Sequence, residues 1–78
     1  MPAAAPSFGV VIFHTSSAAL RAEKILRREE LPIKLIPTPR EFSSDCGVAL
    51  RFEWRSETRT RELLESAHVE IASIRALE

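Results

Sequence analysis

A single cysteine, Cys46, stands in the whole 78-residue sequence. No internal disulfide can form, and no cluster of cysteines can hold a metal within the chain. The two histidines, His14 and His68, are far apart and share no zinc-ligand spacing with the cysteine. Long apolar runs are missing as well, and none approaches the length that spans a bilayer. The stretch Met1–Ser7 is rich in Pro and Ala and has no basic side chain. The apolar run Val10–Phe13 after it is too short for a signal segment. A cytoplasmic protein without a membrane partner is therefore expected. An excess of charge of one sign is the third absence, because eleven Lys and Arg balance eleven Asp and Glu. Nucleic acid rewards a basic excess, so it is not expected as the main partner. Zero net charge also gives little colloidal repulsion, which makes a homodimer easier to form.

What is present fits one small domain. The hydrophobic share of 45% and the charged share of 28% are ordinary for a globular chain. So short a chain closes only a modest core, so a large enclosed cleft is not expected. Residues 1–7 read as a disordered lead-in and 8–78 as the folded domain. Phe8–Phe13 is a nearly continuous apolar run suited to a central strand. His14-Thr15-Ser16 supplies turn residues and an N-cap. Between Ser17 and Glu30, Ala18, Ala22, Ile25 and Leu26 recur at helical spacing, and Glu23 can pair with Arg27. Ile33–Ile36 is a short strand between Pro32 and Pro37, and Pro39 is placed to open one helical turn through Phe42.

Val48–Trp54 alternates, with Val48, Leu50, Phe52 and Trp54 on one face and Ala49, Arg51 and Glu53 on the other. Ser56 is placed to cap a second helix with Thr60, Leu63, Leu64 and Ala67 inward. A last strand, Val69–Leu77, slips in its alternation near Ser73, which indicates a bulge or an edge. The order β-α-β-β-α-β predicts an α+β, ferredoxin-like split-βαβ fold, an antiparallel sheet with two helices on one face. In that plan the third strand lies between the first two, and His14–Ser16 meets the Pro37–Gly47 segment at one sheet end. Val11 and Phe13 are expected on the sheet face without helices, as a docking patch for a partner or a second copy.

Cys46 sits in Ser43-Ser44-Asp45-Cys46-Gly47, small polar residues on a connecting segment. Loops often present functional side chains. Gly47 can adopt backbone angles closed to other residues and turn the thiol outward. A thiol reacts as thiolate, which positive potential favours. The start of the first helix at Ser16, a protonated His14, Arg40 and Arg51 are candidates to supply it, while Asp45 opposes them. Free cysteine is equally a small core hydrophobe, and position 46 has the parity of Val48, Leu50 and Phe52. The residues alone leave both readings open. His68, at the end of the second helix, suits the helix dipole. The Arg/Glu run Arg55–Glu65 reads as a solvated helix face, and Trp54 as core.

Four blocks carry a resemblance: Phe13-His14-Thr15-Ser16-Ser17-Ala18-Ala19-Leu20, Ala22-Glu23-Lys24, Leu35-Ile36-Pro37-Thr38-Pro39-Arg40-Glu41, and Ser43-Ser44-Asp45-Cys46-Gly47-Val48-Ala49-Leu50-Arg51. On these the chain resembles the Putative Se/S carrier protein-like family. The resemblance implies a carrier that holds sulfur or selenium on Cys46 as a persulfide or perselenide. It maps the family's cysteine-glycine pair onto Cys46 and Gly47 and its proline–arginine element onto Pro37, Pro39 and Arg40. His14, Ser16 and Ser44 become supporting residues. The implied partners are a donor enzyme of cysteine desulfurase type and an acceptor protein. No cofactor is expected, and a carrier without turnover of its own fits better than a sulfurtransferase. A small interaction module with a structural cysteine is the other reading.

Overall fold

The computed structural model describes residues 7–42 and 46–77. The apolar run at the start forms β1 (Phe8–Ile12), which pairs antiparallel with a strand on each side. Both faces of β1 are sealed, since Val10, Val11 and Ile12 are buried, and the run therefore shows no alternation. The other strands are β2 (Ile33–Pro37), β3 (Val48–Glu53) and β4 (Ser73–Leu77), in the order β2-β3-β1-β4. With helices α1 (Ser16–Arg28) and α2 (Glu57–Ser66) between them, this is the ferredoxin-like split-βαβ arrangement. The disordered lead-in expected over 1–7 lies outside the described residues except for Ser7, whose carbonyl accepts a hydrogen bond from Trp54 N–H at 3.1 Å.

Thr15 starts α1: its Oγ1 accepts the Ala18 N–H at 3.1 Å and satisfies one of the helix's open donors. Ala19, Ala22 and Leu26 are fully buried, while Ala18 and Ile25 sit at the margins of the stripe. The expected Glu23–Arg27 pair forms at 3.0 Å. Both helices end with a residue in the left-handed region, Glu30 (φ 61) and His68 (φ 58). In each case that residue's N–H and the next one's return to the last helical turn. Glu30 and Leu31 donate to the carbonyls of Arg27 and Leu26, and His68 and Val69 to those of Glu65 and Leu64. These are two Schellman closures built without glycine.

The helices run antiparallel. Arg21 near the start of α1 donates to the Ala67 carbonyl at the end of α2 (2.8 Å), and Arg59 near the start of α2 pairs with Glu29 (2.8 Å). Against the sheet they bury Val11, Phe13, Leu50, Phe52, Leu26 and Leu64 in the main core. A second, thinner cluster on the opposite face joins Val10, Ile12 and Ala49, with Ile36, Phe42 and Leu77 at its margin.

Several details differ from the sequence expectation. Val11 and Phe13 face the helices, not the open side, because Val11 pairs with Leu50 and shares its face. Both parities of β1 are apolar, so its own pattern cannot choose. β3 ends at Glu53, and Trp54–Ser56 forms a 3-10 turn; Ser56 precedes α2, but its side chain makes no cap hydrogen bond. Pro39 opens a turn closed by Phe42 N–H to Pro39 O at 3.0 Å rather than a helix. β4 begins at Ser73, where the alternation slips, and is an edge strand; Val69 and Ile71 join the core before it. Among the described residues no helix is long and apolar enough to cross a membrane.

Candidate functional site

The sheet register assembles the end where the candidate residues meet. Ile12 stands opposite Ala49, and Ala49 opposite Ile36, so β1 leaves the sheet where β3 enters it. Pro37 pairs with Val48, and the next residue fastens the approach to β3 twice. Thr38 N–H donates to Gly47 O at 3.1 Å, and Thr38 Oγ1 donates to Cys46 O at 2.8 Å. The sequence reading does not single out Thr38. Its signal is a lone β-branched hydroxyl between two prolines at a strand end, where a side chain can replace missing ladder bonds.

Cys46 is 4% exposed and belongs to the helix-side core with Phe13 and Leu50. Its Sγ donates to the Val48 carbonyl at 3.2 Å. Parity therefore prevails over loop position for the side chain: Cys46 points the way Val48, Leu50 and Phe52 point. Gly47 does not do what was expected of it. No glycine among the described residues has a positive φ, and a Cβ at position 47 would meet nothing within 4 Å. The position is open space rather than a backbone necessity. Beside it lies a shallow groove of about 290 Å³ along the β2 edge, lined by Leu35, Ile36, Pro37, Gly47 and Val48.

The other expected residues divide. His14 and Ser16 sit at this sheet end and are exposed, and the His14 imidazole makes no hydrogen bond or ion pair with a described residue. Arg40 is exposed on the Pro39–Phe42 turn. Arg51 is not a neighbour of the thiol. It lies on the opposite sheet face, with its guanidinium carbon 4.5 Å from the Phe8 ring centroid. Ser44 and Asp45 lie outside the described residues. Among the described residues no group of His, Cys, Asp and Glu could hold a metal ion. Chemically, the end offers one covered thiol, with an apolar groove lined by the next two residues, Gly47 and Val48. A reaction at sulfur first requires that Sγ leave the Val48 carbonyl.

Comparison with known proteins agrees with this geometry in part. The family described as "Putative Se/S carrier protein-like" matches residues 8–75, which include every described element up to the middle of β4. "Uncharacterized protein MJ0011" of Methanocaldococcus jannaschii is 34% identical over 58 residues. That match covers 74% of this chain but 29% of the archaeal protein, so the chain spans less than a third of that relative. No solved structure matches the chain. With nearly the whole folded region matched, this chain belongs to the Putative Se/S carrier protein-like family.

Proposed function

We propose that the protein carries a sulfur or selenium atom on Cys46. Cys46 thiolate would attack the terminal sulfur of a donor's cysteine persulfide. A bond forms between the Cys46 sulfur and that atom, the donor's sulfur–sulfur bond breaks, and the donor leaves as a thiolate. An acceptor thiolate then repeats the exchange in the other direction, so no external oxidant or reductant enters. The donor is an enzyme that forms a persulfide, of cysteine desulfurase type, and the acceptor is a second protein. The observation that carries this reading is the placement of the only thiol in the sequence directly before Gly47 and its groove.

Burial gives the cycle a physical shape. An added sulfur atom would overfill the close-packed site around Cys46, where extra volume typically costs about 1–3 kcal/mol. A persulfide anion would also lose the proton that the Val48 carbonyl accepts. Both effects favour a loaded sulfur turned out of the core. The empty carrier would be sheltered and the loaded one presented.

The 4% exposure of Cys46 and its bond to Val48 favour a second reading, an interaction module whose cysteine only fills space. One experiment separates the two. Incubation with a cysteine desulfurase and radiolabelled cysteine should place about one sulfur on the wild type and none on Cys46→Ser. The serine hydroxyl can donate to the same Val48 carbonyl, so the variant should keep its fold by circular dichroism. Equal labelling of both proteins, or no labelling together with a silent native thiol titration, would establish the module instead.

A further inference from the structure

The formal net charge of zero hides a segregation of charge. The four ion pairs among the described residues, Arg27–Glu23, Arg55–Glu53, Arg59–Glu29 and Arg61–Glu57, include none of the cations on the open sheet face. Those cations are Lys34, Arg51 and Arg75, and the register places them in one line across the sheet. Lys34 stands opposite Arg51, Arg51 opposite Val10, and Val10 opposite Arg75. With strands about 4.8 Å apart, the first two charges are neighbours and the third lies about 10 Å from Arg51. The acid on this face, Glu53, is already held by Arg55. Among the described residues the face therefore presents three cations that take part in none of these ion pairs, above the buried side chains of Val10, Ile12 and Ala49.

Two aromatic rings flank the row. Arg51 lies over Phe8 at 4.5 Å and Arg75 over Phe42 at 5.5 Å. Phe8 is 38% exposed, an unusual place for a large apolar ring on β1. It borders a depression of about 270 Å³ that Arg51, Glu53 and Pro32 also line. An aromatic ring beside a donor fork at one depression offers a nucleobase a stacking surface and a hydrogen-bond donor for its edge.

We propose that the open sheet face binds single-stranded nucleic acid, with Lys34, Arg51 and Arg75 on backbone phosphates and a base against Phe8. A cationic track with adjoining aromatic platforms is how unpaired strands are held without strong sequence preference. An acidic protein would satisfy the three cations but would leave Phe8 unused. A duplex keeps its bases stacked inside and cannot place one on the ring. The proposal is independent of Cys46, which lies on the other side of the sheet.

The test is fluorescence anisotropy with a short labelled oligouridylate. Saturable binding is expected, with a log–log salt slope of about −2 for three phosphate contacts, so affinity falls roughly twentyfold between about 50 and 200 mM salt. Arg51→Gln with Arg75→Gln should weaken binding by about tenfold or more and flatten the slope to about −0.7. Phe8→Leu should weaken it by about tenfold with the slope unchanged, because it removes stacking and not charge. Lys24→Gln with Arg28→Gln on α1, and Cys46→Ser, should bind like the wild type. Circular dichroism of each variant confirms that the fold is retained. The proposal is overturned by absent binding at low salt, or by equal loss in the α1 control. It is also overturned if a duplex of the same length binds as tightly, or if polyglutamate competes as well as the oligonucleotide.

Discussion

At Gly9 a Cβ would stand 2.6 Å from Phe52 Cζ and 2.6 Å from Trp54 Cε3, closer than side-chain atoms approach. Phe52 and Trp54 stack across this strand position with ring centroids 6.0 Å apart, and both are held by the core. Gly9→Ala should therefore destabilise the fold by about 1–3 kcal/mol, read as a lower urea midpoint at unchanged slope. An unchanged midpoint would mean that the two rings yield easily. Thr60 shows the opposite opportunity. It is fully buried on α2, and its Oγ1 has no hydrogen-bond partner among the described residues. Thr60→Val keeps the shape, removes the orphaned hydroxyl and leaves helix propensity nearly unchanged. Stability should rise by about 1 kcal/mol, or about 4–8 °C in melting temperature for a domain of this size. A fall would show that the hydroxyl has a partner. Neither residue stands out in the sequence, because close ring approach and an unmet donor are properties of packing. Cys46 was half legible. Strand parity indicates a core side chain, and the small polar residues around it indicate a loop; both hold, the backbone on the approach to β3 and the sulfur inside.

The secondary-structure elements were legible where their periodicity was unambiguous. Val48–Trp54 alternates, and Leu50, Phe52 and Ala49 are buried on the faces that alternation assigns. The apolar run of β1 carries no such information, and the face of Val11 is fixed only by its partner Leu50. Helix ends were legible at Thr15, whose hydroxyl marks the start of α1, and less so at the other termini. The chain has only two glycines, and neither closes a helix. Glu30 and His68 instead take the left-handed position, which strains a residue with a Cβ by roughly 1–2 kcal/mol. Glu30→Gly should relieve that strain, and the greater freedom of glycine in the unfolded chain takes back part of the gain. A net stabilisation of about 0.5–1 kcal/mol is expected in urea unfolding, with α1 helicity retained. Destabilisation would mean that the Glu30 side chain makes a contact worth more than the strain.

At the scale of the whole molecule, the topology was legible because the order of elements allows few compact arrangements, and a right-handed pair of βα units gives this sheet. The charge distribution was not. A formal sum counts Lys34, Arg51 and Arg75 against glutamates that the helices place elsewhere, and only the register reveals that the three share a row. The Cys46 side chain and the row of cations also lie on opposite sides of one sheet, so each can be altered without touching the other.

Among the described residues the sheet order leaves β2 and β4 each with one unpaired side, and an open strand edge is a template on which other copies can add. With no net charge, copies of this chain are not held apart in bulk solution. The protection is local. Pro37 closes one end of β2 without a backbone N–H to offer, and exposed Lys34 would be stripped of water by any strand laid alongside. Arg75 stands at the centre of β4, so two copies zipping antiparallel about that residue would set one guanidinium directly against another. Replacing those cations would therefore change more than what the protein binds; it would remove the guard against fibrous self-addition.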